Sequence, residues 1–252
     1  MNDREYALMY QVEEHHWWYR SLHELILSFI AAEAAQRGPL TIFDAGCGTG
    51  RLCQLMQPFG TVSGCDLSEQ AIALARQRGL ANISRQDLNN LNLEPRHYDV
   101  ITSIDVLYHR WVTNDIAVLA RLHDALKPGG ILILNLVAWP FLYSDHDVAV
   151  HTRERYTRPV LAERLERCGY TLDRLTYRVG FLFPPIAVYR LLSRRPDHGV
   201  PATEQASDVH LPPGWLNRIL LGLMRAENRL LARHDLPVGT SVFAVARRRA
   251  AP

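Results

Sequence analysis

The run Phe43-Asp44-Ala45-Gly46-Cys47-Gly48-Thr49-Gly50 joins a short apolar stretch, LTIFDAG, to a helical pattern that begins at Arg51. Glycines at alternate positions let the main chain turn sharply there and approach a ligand without Cβ obstruction. Such a turn ties a strand to the start of a helix, and the same rhythm continues downstream. TVSGCD, a helix over Glu69–Gln77, ANISRQD, YDVITSID, a helix over Asp115–Leu126 and GILILNLV follow in order. Strands alternating with helices predict a parallel sheet covered on both faces. A helix over Pro159–Arg167, the strand YTLDRLTYRV and a last strand, SVFAVARR, complete the pattern.

Two segments fall outside that rhythm. In residues 1–38, Leu22, Leu25, Ile26, Phe29 and Ile30 recur at helical spacing, behind the aromatic cluster His15–Tyr19 and before Arg37-Gly38-Pro39. This predicts an N-terminal helical cover. Residues 180–239 are too long for an ordinary strand connection and read as a helical insertion before the last strand. With 252 residues, the whole of 1–252 is expected to form a single domain with these two elaborations.

Composition bounds the partners. A hydrophobic share of 48% and a charged share of 21% exclude a disordered or collagenous chain. The four cysteines, Cys47, Cys53, Cys65 and Cys168, show neither paired zinc-ligand nor redox spacing, which suits a reducing, cytoplasmic setting. The longest apolar run, Ile131–Leu142, is broken by Asn135 and Pro140 and is too short to span a bilayer, and no export signal opens the chain. Residues 1–150 carry 11 basic and 17 acidic side chains, residues 151–252 carry 17 and 9, so the C-terminal part is the basic one.

The spacing of the glycine turn fails GxGxxG, and no GK[ST] follows, which disfavours nicotinamide and nucleoside triphosphates. A nucleoside ligand without phosphates fits better. Four motifs in order, DAGCGTG, Cys65-Asp66-Leu67-Ser68, Gln86-Asp87-Leu88 and Leu126-Lys127-Pro128-Gly129-Gly130, give a chain that resembles the class I S-adenosylmethionine-dependent methyltransferases. The resemblance implies an α/β fold, a Rossmann-like doubly wound seven-stranded sheet with its last strand antiparallel, forming one methyltransferase domain. It also implies S-adenosylmethionine as cofactor and S-adenosylhomocysteine as product. The turn at Gly46 and Gly48 would take the methionine part, Asp66 both ribose hydroxyls, and Asp87 with Leu88 the adenine edge. Asp44, Cys47, Leu67 and Ser103 complete the implied cofactor set. A carboxylate suits Asp66, since its two oxygens can accept from vicinal hydroxyls.

Ser103-Ile104-Asp105-Val106-Leu107-Tyr108-His109 ends the fourth strand, and related small-molecule methyltransferases often read glutamate-histidine where Tyr108-His109 stands. The chain lacks the NPPY-type tetrad expected for nucleobase amines, so no nucleic-acid partner is expected. Beyond the cofactor half, Glu14-His15-His16-Trp17-Trp18-Tyr19, the stretch Ser144 to Tyr156 and Leu236–Ser241 resemble a bacterial small-molecule subgroup of type 11 and 12 methyltransferases. The expected acceptor is a small organic or lipid-like molecule, methylated at a hydroxyl. His151, then His146, are the expected bases, because histidine titrates near neutrality and this loop follows the fifth strand. His16, Trp17, His109, Trp139, Asp147, Arg155 and Tyr156 are the expected acceptor-binding residues. The spacing of His146, Asp147 and His151 matches no compact ligand motif, so no metal is expected.

In Trp215–His234 the apolar residues Trp215, Ile219, Leu220, Leu223, Leu230 and Leu231 share one stripe, with arginines near the opposite side. The favoured arrangement lays that stripe on the domain; a peripheral contact with an anionic membrane is the alternative. No obligate protein partner is evident. Two further functions stand beside methyl transfer, a catalytically silent cofactor-binding or scaffold protein and an aminopropyl transferase on the same fold, and calorimetric titration with the cofactor separates them.

Overall fold

Strand β5, Leu126–Val137, shows in its side-chain alternation how the core divides. Ile131 and Ile133 face one apolar cluster, while Leu132, Leu134 and Leu136 face the other, as the two-residue period of a strand requires. In the computed structural model, which describes residues 3–144, 147–148, 150–192 and 210–249, helices cover both faces of this sheet. On one side lie α2 (Trp17–Arg37), α3 (Arg51–Met56) and α4 (Glu69–Gln77), contributing Leu22, Ile26, Ile30, Leu52, Met56 and Ile72. On the other lie α5 (Asp115–Ala125) and α6 (Arg158–Arg167), contributing Leu119, Leu122, Leu161 and Leu165.

The strands are β1 (Leu40–Ala45), β2 (Gly60–Asp66), β3 (Ile83–Arg85), β4 (Tyr98–Ile104), β5, β6 (Tyr170–Arg178) and β7 (Ser241–Arg248). Their order across the sheet is β3-β2-β1-β4-β5-β7-β6, and only β7 runs antiparallel to its neighbours. The doubly wound seven-stranded sheet is the one expected. Strand order reverses between β1 and β4, and the carboxyl ends flanking such a reversal leave a crevice for a ligand. α4 and α5 start on polar caps: Ser68 Oγ accepts from Ala71 N, and Asn114 Oδ1 from Ala117 N.

The cover holds two helices. α1 (Asp3–Val12), which lacks a strong apolar period, precedes α2 and rests on α4. The insertion contains α7 (Phe183–Leu192) and α8 (Gly214–Leu231); its polar stretch around Asp197–Asp208 lies outside the described residues. α8 packs on α2 through Leu221, Met224 and Leu231. Its buried Glu227 accepts from the main-chain N–H of Val179 at 2.6 Å and Gly180 at 2.7 Å, just beyond β6. The favoured placement of the α8 stripe is corrected here. Trp215, Ile219, Leu223 and Leu230 are exposed, and of the expected stripe only Leu231 is fully buried. Two apolar faces compete on this helix, and the one carrying Glu227 wins because that carboxylate caps the end of β6.

Candidate active site

A cavity of about 1010 Å³ opens over the carboxyl ends of β1, β2 and β4. The cover supplies its roof: Tyr6 and Met9 of α1, then Glu13, His16, Trp17 and Tyr19. The insertion adds Ile186 of α7 with His210 and Pro212, which lead into α8. These two distant segments are tied together by Asn217, whose Oδ1 accepts from Trp17 N at 2.9 Å while its Nδ2 donates to the carbonyl of His15 at 2.8 Å.

The glycine turn forms one end of the cavity. Gly46 has φ 89°, and a Cβ there would lie 2.4 Å from a Val106 methyl; Gly48, at φ 53°, has the Met9 methyl against it. A side chain at either position would fill the cradle. Beneath it Asp44 accepts from Thr102 Oγ1 at 2.7 Å, and burial pushes its carboxyl up to about 6. Asp66 Oδ2 accepts from Gly48 N at 2.9 Å, and Oδ1 accepts from Ser68 N at 2.9 Å and Tyr6 Oη at 3.1 Å. Arg78 locks α1 to this end: it pairs with Glu13 at 2.7 Å and Glu14 at 2.6 Å and lies 4.2 Å from the Tyr10 ring centroid. Thr49 Oγ1 donates to Glu13.

The donor set fits the implied cofactor. Main-chain atoms of the Gly46–Gly48 cradle can approach a ligand closely, and Asp66 and Asp87 border the same space. Acidic Glu5, Glu13, Asp66 and Asp87 suit a ligand that carries an ammonium and a sulfonium. Asp44, Gly46, Cys47, Gly48, Asp66, Leu67, Asp87 and Leu88 all line the cavity. Ser103 does not. It is buried, and its hydroxyl donates to the carbonyl of Ala45 at 3.0 Å, a tie between β4 and β1.

Immediately beyond β4, next to the Val106 that abuts Gly46, stands Asp105. Its φ of 56° is uncommon for a residue with a side chain, and Asn135 of β5 holds it there. Asp105 N donates to the Asn135 carbonyl at 2.8 Å, and Asn135 Nδ2 donates to Asp105 Oδ2 at 2.9 Å. Among the described residues, Oδ1 accepts no hydrogen bond. Burial raises this carboxyl to about 7, against the opposing pull of the Asn135 bond and of Arg178. Arg178 is fully buried behind the wall, donates to Ser21 Oγ at 2.6 Å, and is itself lowered to about 10 by burial. The neighbouring walls are apolar and aromatic, with Tyr108, Trp111, Val112, Val137, Leu142 and Val179 among them.

The histidines divide by position. His16 lines the cavity, but its Nδ1 accepts from Trp18 N at 3.2 Å as the N-cap of α2, which leaves the neutral ring a donor at Nε2. Burial lowers His16 to about 4, with His210 adding to the effect. His109 lines the cavity too, and burial lowers it to about 4. His151 is outside the lining. Its ring stands edge-on to Trp111 at 4.8 Å, and its φ is 58°. His146 lies outside the described residues.

Of the other expected acceptor residues, Trp17 and Arg155 reach the cavity. Trp139, Asp147 and Tyr156 are elsewhere for identifiable reasons. Trp139 Nε1 donates to the Gly239 carbonyl at 2.8 Å and its ring stacks on Tyr177 at 4.7 Å. Asp147 and Arg155 form a buried two-pronged ion pair, 2.8 and 2.9 Å, and Arg155 also donates to the Ala138 carbonyl. That pair staples the loop after β5. Tyr156 Oη donates to Asp115 Oδ2 at 2.6 Å in the core. Tyr156→Phe is therefore expected to cost about 1.5–3 kcal/mol of stability, as hydrogen bonds to charged groups do, and to leave KM unchanged. Thermal melts and steady-state kinetics check both; a raised KM with an unchanged melt would make Tyr156 an acceptor contact.

Comparison with known proteins is consistent with this geometry. A family model described as a methyltransferase domain matches residues 42–130. A ubiquinone biosynthesis O-methyltransferase of Thiobacillus denitrificans is 29% identical over 206 residues, covering 70% of this chain and 86% of that protein. One from Paraburkholderia xenovorans is 35% identical over 131 residues, 46% of this chain and 55% of the relative. The chain thus spans little more than half of several curated relatives that it matches. The solved S-adenosylmethionine-dependent methyltransferase from Mesorhizobium loti superposes with a TM-score of 0.57 at 20% identity, over 88% of this chain and 96% of that one. At that identity the likeness speaks to the fold.

Proposed function

Because the chain is a class I S-adenosylmethionine-dependent methyltransferase, we propose that it methylates a hydroxyl on a small, largely apolar acceptor, with Asp105 as the proton acceptor. The single observation that carries this reading is the Asp105 carboxyl, which lines the cavity, is fixed through Oδ2 by Asn135, and is raised by burial to about 7. A base works best when its pKa lies near the operating pH. His16 and His109, both lowered to about 4, are weaker bases by that measure. The relatives named for O-methylation support a hydroxyl acceptor.

The bound cofactor supplies a methyl group already activated on sulfonium, so alignment of the acceptor accounts for much of the acceleration. Gly46, Gly48, Asp66 and Asp87 hold the cofactor. Trp17, Tyr19, Trp111 and Val179 surround the acceptor and exclude water. Asp105 takes the hydroxyl proton as the oxygen–carbon bond forms and the sulfur–carbon bond breaks. Nε2 of His16 is a donor that orients the acceptor from the roof.

The test uses labelled cofactor with hydroxylated aromatic and prenylated acceptors. Transfer to oxygen that rises with pH through about 7 and then levels is the expected result. His151→Ala should keep turnover within about threefold, since its ring is outside the cavity. A tenfold loss there, or label chiefly on nitrogen, on protein or on nucleic acid, would overturn the assignment.

A further inference from the structure

α8 leaves a second apolar face uncovered. Trp215 is 61% exposed, Ile219 53%, Leu223 40% and Leu230 38%. At 100° per residue these four fall within an arc of about 80°, opposite the arc that buries Leu221 and Met224. Arg218 and Arg229 are exposed along one flank of the stripe. Among the described residues neither pairs with a carboxylate, unlike Arg225, which is engaged by Glu24 at 2.5 Å. A helix built this way, apolar on the outside with tryptophan at one end and unneutralised arginines beside it, is complementary to the headgroup region of an anionic bilayer. No described helix is long and apolar enough to cross a membrane, so the contact is one of surface.

The position of the stripe matters as much as its composition. His210 and Pro212 line the cavity, Leu211 between them is 43% exposed, and α8 begins two residues later. The cavity wall and the apolar stripe are consecutive in the chain. We propose that the outer face of α8 docks the enzyme on an anionic lipid surface, with the cavity wall at 210–212 beside the lipid. An apolar acceptor then reaches the cavity from the bilayer without crossing water. That last step rests on the acceptor class proposed above; the docking does not.

The experiment is co-sedimentation of the full chain with vesicles of phosphatidylcholine alone or mixed with phosphatidylglycerol, scored as bound protein without any turnover. The protein is expected to partition onto the mixed vesicles, to bind neutral ones poorly, and to be released by salt. The double variant Ile219→Ser with Leu223→Ser should weaken partition about tenfold or more, since burying apolar side chains drives interfacial insertion. Arg218→Ser with Arg229→Ser should weaken it on mixed vesicles only. Unchanged cofactor titrations and melts show that the variants are folded. No partition of the parent protein, or partition undiminished by either double variant, overturns the proposal. A doubling of mass in the lipid-free protein that disappears in the Ile219→Ser/Leu223→Ser variant also overturns it, by assigning the stripe to a second copy. Failure of every acceptor tried, with partition intact, counts against the acceptor assignment and leaves the docking standing.

Discussion

Asp105→Asn is expected to lower methyl transfer by about 10²–10⁴-fold, the range that a positioned base contributes, while cofactor affinity changes little. Asparagine keeps the shape and can still bond Asn135, so the loss isolates the proton acceptor. The pH profile gives an independent reading. Wild-type turnover should climb through pH 7 as Asp105 ionises, and the residual activity of the variant should not show that rise. Stability should move the other way. A carboxyl raised by burial favours folding in its protonated form, and that contribution is lost as pH rises through about 7. At pH 8 the variant, with no charge to bury, should melt higher than wild type; at pH 5, where Asp105 is protonated, the difference should shrink. Single-turnover kinetics and paired melts across this range measure both. A variant with full turnover would leave positioning alone as the source of catalysis.

Asp66→Asn is the second large expectation, and it acts beneath the glycine turn. The carboxylate already accepts from Gly48 N, Ser68 N and Tyr6 Oη. Replacing one oxygen by an amide sets a donor against donors and removes the charge that strengthens each bond. Hydrogen bonds to charged groups are worth about 1.5–3 kcal/mol, so the loss of even one to a ribose hydroxyl predicts a fall in cofactor affinity of about 10–100-fold. Calorimetry with S-adenosylhomocysteine checks it. Asp87→Asn should cost less, because Asp87 Oδ1 also caps a local turn through Asn89 and an asparagine retains that acceptor. Equal affinity in wild type and Asp66→Asn would remove Asp66 from the cofactor site.

Much of the sheet was legible because its signals are short-range. Alternating apolar residues set β5 on two cores, and the glycine turn marks the β1–α3 junction within eight residues. The acids proposed for the cofactor side were legible for the same reason, Asp44 and Asp66 lying at the carboxyl ends of β1 and β2 and Asp87 two residues beyond β3. Asp105 stands in such a place too, but its φ of 56° and its grip by Asn135, thirty residues away, exist only in the folded chain. The histidines separate only in the folded chain, because residue type says nothing about commitment: His16 lines the cavity but spends Nδ1 on a helix cap, and His151 packs on Trp111 outside the lining. α1 escaped notice because its role depends on isolated contacts, Tyr6 on Asp66 and Met9 on Gly48, rather than on an apolar period. In α8, periodicity identifies two apolar faces but not which one turns inward. That choice depends on Glu227 meeting the end of β6.

The interleaving of β7 between β5 and β6 carries a consequence for the order in which the molecule can be made. Among the described residues β6 pairs with no strand but β7, so a chain growing on the ribosome holds β6 without that partner until some sixty further residues have emerged. β1 to β5, which carry Asp44 and Asp66 and lead into Asp105, need nothing downstream to pair with one another. The glycine turn and the strands around it can therefore pair early, whereas the roof of the cavity waits for Asn217 to clasp the turn at His15 and Trp17, and the sheet waits for β7. Late, long-range pairing of this kind is slow and exposes apolar edges. A nascent chain would pass through an interval in which the floor of the cavity is paired while its roof is still unclasped.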